Sequence, residues 1–126
     1  MAEHPQISAI VKNDADVKLA LGNPPRFYGF GEAPQDVKHP YAVWQLVGGS
    51  PENKLAGRPD EDTYSYQIDA YGDKGSEARA AFIALRSALE LDGYVVSYNF
   101  EGREPDTRLY RFSFNVELML SRDVGS

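Results

Sequence analysis

The sequence predicts a single α+β domain: a mostly antiparallel, twisted sheet of four to five strands with helices packed on one face. Three observations lead there. Residues Thr63 to Tyr71 alternate strictly, with Tyr64, Tyr66, Ile68 and Ala70 on one face and Thr63, Ser65, Gln67 and Asp69 on the other. Residues Glu77 to Leu91 carry Ala78, Phe82, Leu85 and Leu89 at helical spacing, flanked by Ala81 and Ala88. Two strand pairs on either side of this helix give hairpin, crossover helix, hairpin, an arrangement that gathers helices on one side of a sheet. At 126 residues the chain suits one domain over its whole length, 1–126.

The first elements are helical. Gln6 to Lys12 places Ile7, Ile10 and Val11 on one stripe behind Pro5, a residue suited to a first turn. Asp14 then caps a second segment through Val17, Leu19 and Leu21, which Gly22 stops. The pattern fits one kinked helix or two short ones. Asn23-Pro24-Pro25 breaks the chain. Arg26 to Gly31 forms a short strand, and an irregular loop follows, its direction fixed by Pro34 and Pro40.

Tyr41 to Val47 is apolar on both faces apart from Gln45, which predicts a strand buried on both sides or covered by a partner on one. The connection from Gly48 to Asp62 is far longer than an ordinary hairpin loop, and such loops are functional or disordered. Beyond Tyr71, Gly72-Asp73-Lys74-Gly75 is turn chemistry, Ser76 is the expected N-cap of the long helix, and Gly93 its left-handed stop. Tyr94, Val96, Tyr98 and Phe100 then share one face of a strand. The last strand, Thr107 to Leu120, carries Tyr110, Phe112, Phe114, Val116, Leu118 and Leu120 on one face. It would extend roughly 45 Å, long enough for part of it to leave its own sheet, bent by a bulge or paired with a neighbour. Residues 121–126 read as a frayed tail.

Composition narrows function mostly by exclusion. The net charge of −6 and pI near 4.8 oppose tight binding of a phosphate backbone. There is no cysteine, so disulfides and thiolate metal sites are out. No apolar run reaches the length of a membrane span, and the first residues do not form a Sec-type leader, so synthesis in the cytoplasm is expected. His4 and His39 lack a partner at ligand or general-base spacing. Asp60-Glu61-Asp62 lacks the alternation of a calcium loop and reads as solvated, with Arg58 nearby in sequence. No phosphate-binding glycine loop or nucleophile elbow is present. No enzyme, metal or cofactor is therefore expected. The eight tyrosines alternate as a core face does, without the basic interleaving of an RNA platform.

Read in order, a set of motifs resembles the tail-completion, or tail-terminator, proteins of long-tailed bacteriophages and gene transfer agents. These are Leu19-Ala-Leu-Gly22, Arg26-Phe-Tyr-Gly-Phe-Gly-Glu-Ala-Pro-Gln35, Pro40-Tyr-Ala-Val-Trp-Gln-Leu-Val-Gly-Gly-Ser50, Asn53-Lys-Leu-Ala-Gly57, Tyr66-Gln-Ile-Asp-Ala-Tyr71, Glu77-Ala-Arg79 and Leu85-Arg-Ser-Ala-Leu89. The resemblance spans nearly the full length. It implies a structural virion protein, usually a hexameric ring, at the head-proximal end of the tail tube. Such a ring stops tube polymerisation, docks the head connector and lets DNA pass through its lumen without sequence-specific contact. The implied partners are other copies of the chain, the tail tube protein and the connector. The loop from Gly48 to Asp62 would project toward the lumen or tube end and order on assembly. Expected partner-contact residues are Glu52, Asn53, Lys54, Arg58, Asp60, Glu61 and Arg103, chosen as exposed loop positions. A head-completion or neck adaptor is the alternative within the same structural class. A small ligand-sensing or regulatory module of the host is the alternative outside it.

Overall fold

The computed structural model describes residues 5–51 and 61–121. Eight elements follow in order: α1 (Pro5–Lys12), α2 (Ala15–Leu21), β1 (Phe27–Gly29), β2 (Tyr41–Pro51), β3 (Glu61–Gly72), α3 (Gly75–Leu89), β4 (Gly93–Arg103) and β5 (Tyr110–Ser121). The strands form one five-stranded sheet in the order β1-β2-β3-β5-β4. Every pairing is antiparallel except β1 with β2, which is parallel. The predicted fold class is therefore the observed one.

The N-terminal segment is two helices. Asp14 Oδ1 accepts from the Val17 backbone N–H at 3.0 Å, so the interruption is a new N-cap as the sequence predicted. Gly22 ends α2 at φ +96°, and the Arg26 guanidinium lies where a β-carbon would stand, so two constraints favour glycine there. Ile7, Val11, Val17 and Leu21 are buried, whereas Leu19, expected on the same stripe, is 86% exposed. In a helix this short, Leu19 lies two residues from both Val17 and Leu21 and so faces away from them.

The long helix differs from expectation at both ends. It begins at Gly75 with Lys74 as N-cap, and Ser76 makes no cap. Glu77, three residues after Lys74, instead accepts from the Asp73 backbone N–H at 2.9 Å, the returning half of a capping box shifted by one residue. At the far end Leu91 is exposed and Gly93 opens β4 rather than stopping the helix. Gly93 is required by proximity: a β-carbon there would sit 1.9 Å from the Glu117 carbonyl oxygen.

One face of the sheet is covered. Ala78, Ala81, Phe82, Leu85, Ala88 and Leu89 of α3 pack on Tyr66, Ile68 and Ala70 of β3 and on Phe112, Phe114, Val116 and Leu118 of β5. Phe82 stacks on Phe112 at 4.2 Å between ring centroids and meets Phe114 edge-on at 4.8 Å. The helices α1 and α2 pack on α3 and complete the same core.

Four strand readings are corrected. Strands β2 and β3 extend into the expected long loop, pairing Gly48 with Ser65 and Pro51 with Asp62, and the rest of that expected loop, 52–60, lies outside the described residues. The strand Tyr41 to Val47 is not buried on both sides; Ala42 is buried, Tyr41, Val43, Trp44 and Gln45 half-buried, and Leu46 and Val47 exposed. The last strand does not leave its sheet, because all of Tyr110–Ser121 pairs with β3. The bulges lie elsewhere: one in β2, between Leu46 and Gly48, and two in β4, between Val95 and Ser97 and between Tyr98 and Phe100. Each bulge inserts a residue and flips the alternation after it. Tyr94, Val96, Tyr98 and Phe100 are therefore not one core face. Val95 packs on the core, opposite Val116, and the four expected core residues are all exposed.

Candidate assembly surface

Among the described residues the sheet presents one face uncovered by helices, two sides and a long hairpin. On the uncovered face the register aligns rows across the strands. Gln45, Gln67, Asn115 and Ser97 form one row, and Val43, Asp69, Ser113 and Phe100 form the next. Side-chain hydrogen bonds link neighbouring strands on this face. Asn99 Nδ2 donates to Asn115 Oδ1 at 2.8 Å, Ser65 Oγ donates to Glu117 Oε2 at 3.3 Å, and the Tyr94 hydroxyl donates to Glu117 Oε1 at 2.7 Å. That last bond, followed by the negative charge itself, pushes the Tyr94 hydroxyl above its ordinary pKa.

The lower end of this face holds an aromatic and charged cluster. Tyr41 and Tyr71 stack at 4.9 Å, and His39 stacks on Tyr41 while its Nδ1 lies 2.9 Å from Asp73 Oδ1. Arg111 lies over the Phe100 ring at 4.6 Å, 3.4 Å from Asp69 and 3.0 Å from Glu104. The angle of the Glu104 contact falls short of a hydrogen bond, so it is an ion pair only. Burial, then the carboxylates of Asp69 and Glu104, push the Tyr71 hydroxyl up to about 12, and burial followed by Glu104 raises Tyr41. These phenols hold their protons more tightly than free tyrosine, the opposite of what a general base needs. Among the described residues, no three His, Asp or Glu side chains converge as a metal set would.

Of the expected contact residues, Glu52, Asn53, Lys54, Arg58 and Asp60 lie outside the described residues. Glu61 belongs to β3 rather than to a loop and stands opposite Ser121. Arg103 closes β4 at the other end of the sheet, opposite Tyr110. Its Nε donates to the Arg108 carbonyl at 3.2 Å and its guanidinium lies over the Tyr110 ring. With Ser121 and Tyr110 at the two ends of β5, Glu61 and Arg103 are about 36 Å apart at about 3.3 Å per residue. They cannot share one contact patch.

Sequence reasoning missed the exposed apolar groups along the sheet's sides. On β4 these are Tyr94 (57% exposed), Val96 (47%), Tyr98 (62%) and Phe100 (40%), and on β2 they are Leu46 (39%) and Val47 (45%). The signal for β2 was present, since its lack of alternation called for a covering partner. For β4 the bulges hid it.

The chain matches the family described as "Tail completion protein gp17" over residues 5–121. A solved structure titled "Virion of native gene transfer agent (GTA) particle" contains a chain of the same fold, with a TM-score of 0.64, 14% identity and 91% of each chain covered. No curated protein sequence matches. The family match takes in every described element from α1 to β5, and on that ground the chain belongs to the tail completion protein gp17 family.

Proposed function

We propose that this protein is a non-enzymatic structural component of a phage or gene transfer agent tail. In this reading it forms a ring that caps the head-proximal end of the tail tube, stops polymerisation and presents a surface to the head connector. The observation that carries the ring is the pair of dissimilar exposed apolar patches, one along β2 and one along β4. They lie on opposite sides of the sheet. A head-to-tail interface takes different patches from each subunit, and repeated by rotation it closes a ring. A protein that worked alone would gain nothing from leaving these groups in water. The acidic net charge suits a lumen through which DNA moves without being gripped. Glu52, Asn53, Lys54, Arg58 and Asp60, which follow β2 in the chain, and Glu61, which opens β3, are proposed contacts to the tube or connector. Arg103, at the opposite end, would meet a different neighbour.

Tail-tube length, measured by electron microscopy in lysates of a producing strain lacking this gene, tests the reading. Overlong tubes without heads are expected. Tubes of normal length beside unjoined heads would contradict the terminator role and favour a neck adaptor. Normal infectious particles would contradict any structural role in the tail.

A further inference from the structure

We infer that copies of this chain join edge to edge, with β4 of one copy lying antiparallel beside the distal half of β2 of the next. The inference rests on the ring reading above and specifies its contact.

The sheet has two open edges. Strand β4 ends the sheet, and among the described residues no strand pairs on its outer side. On the other side β1 covers β2 only at Ala42, Val43 and Trp44, so residues 45–51 of β2 have no described strand on their outer side either. Neither edge carries a charge from 41 to 51 or from 93 to 100. Uncharged strand edges of this length are the kind that pair with another chain unless something blocks them.

Direction and level both fit. Strand β3 is antiparallel to β2 and to β5, and β4 is antiparallel to β5, so β4 runs opposite to β2. Rotation about an axis along the strands preserves those directions, so the neighbour's β2 meets β4 antiparallel. Leu46, Tyr66, Val116 and Val95 share one level across the sheet. The bulged residue of β2 is Val47, one step beyond Leu46, and a bulged residue of β4 is Val96, one step beyond Val95. Each edge thus carries a bulged, exposed valine beside the same level, and two irregular edges of matching irregularity exclude straight strands that would pair out of place.

Strand β1 supplies the stop. It stands level with Tyr98 to Glu101 of β4, because Ala42, Ala70, Phe112 and Glu101 share one row. Two of its own outward groups are already used: the Phe27 N–H donates to the Pro25 carbonyl and the Gly29 carbonyl accepts from the Glu32 N–H, both at 2.9 Å. The neighbour's β4 therefore finds open β2 backbone only above β1, beside its own residues Gly93 to Ser97.

The absence of native cysteine makes the test direct. Val47→Cys and Val96→Cys are combined in a producing strain, and purified particles are oxidised and run without reductant. The double variant is expected to give a ladder beyond dimer, and each single variant monomer only. Dimers from V96C alone would overturn the proposal in favour of a two-fold contact between β4 edges. Monomer only from double-variant particles, with the ring visible by microscopy, would overturn it while leaving the ring standing. Particles that hold no ring of this chain would instead overturn the reading beneath it. V96K is measured in parallel. A lysine buried unpaired at the contact is expected to lower incorporation roughly tenfold or more with unchanged melting of the free protein. Normal incorporation of V96K would overturn the proposal.

Discussion

The two sides of the sheet handle the same problem differently. On the β1 side the outermost strand is short, only Phe27–Gly29, preceded by two prolines, and two of its outward groups are bonded, to Pro25 and Glu32. On the β4 side the outermost strand spans Gly93–Arg103, carries exposed tyrosines and valine, and its outward backbone meets no described strand. A sheet that only had to stay soluble would close both sides alike. One side closed for part of its length and the other left open is the asymmetry a directional, head-to-tail assembly needs.

Substitutions can sharpen or break this contrast. The largest effect is expected from Gly93→Ala, because its β-carbon would overlap the Glu117 carbonyl and force β4 away from β5. A loss of roughly 3 kcal/mol or more in chemical denaturation is expected, within the range for severe backbone and packing clashes. The counterpart on the closed side, Gly29→Ala, meets the flexible Glu32 carboxylate at 3.0 Å and the Trp44 ring at 3.2 Å. It should cost under about 1.5 kcal/mol, and equal losses for the two would remove the contrast.

Between these lies an effect at the lower end of the central strand, β3. Tyr71 keeps its proton up to about 12 in the folded state against 10.0 ordinarily. The stability this provides is whole below pH 10, where the unfolded tyrosine begins to ionise, and is lost as pH rises toward 12. Because Tyr71 is half-exposed, solvent screening reduces the span to roughly 1–2 kcal/mol. Tyr71→Phe should flatten that part of the stability–pH curve, and an unchanged alkaline slope would contradict the burial described here. Asp14→Ala, which removes the cap of the helix leading into β1, should cost about 1 kcal/mol by thermal melting. The smallest effect is that of an edge charge such as Leu46→Lys, within about 0.5 kcal/mol for the free protein because Leu46 is already exposed at the sheet's side and a lysine there can reach water. A larger loss would show that Leu46 belongs to the core and not to an open edge.

How much was legible in the sequence follows from how local each signal is. The alternation of Tyr64, Tyr66, Ile68 and Ala70 and the helical spacing of Phe82, Leu85 and Leu89 are written in adjacent residues, and both elements stand as expected. Asp14 and Gly22 are likewise local signals. The position of Ser76 misled because serine is the stronger capping residue, while the backbone turned two residues earlier, at Lys74, and used Glu77. The β4 bulges depend on how that strand meets β5, a long-range fact, so strict alternation assigned Val96 to the core in place of Val95. The contact surface was sought among charged loop residues. Leu46 and Val47 showed only as a strand with too few polar positions, whose open edge follows from the shortness of β1.

If copies join as proposed, the distal edge of β2 and the edge of β4 are covered in the particle and open in the free chain. Amide hydrogen exchange measured on the free protein and on purified particles tests it most directly. Strong new protection is expected at 45–47 and 93–97 in particles, with Phe27 to Gly29 unchanged. Equal exchange at those edges in both states would contradict it.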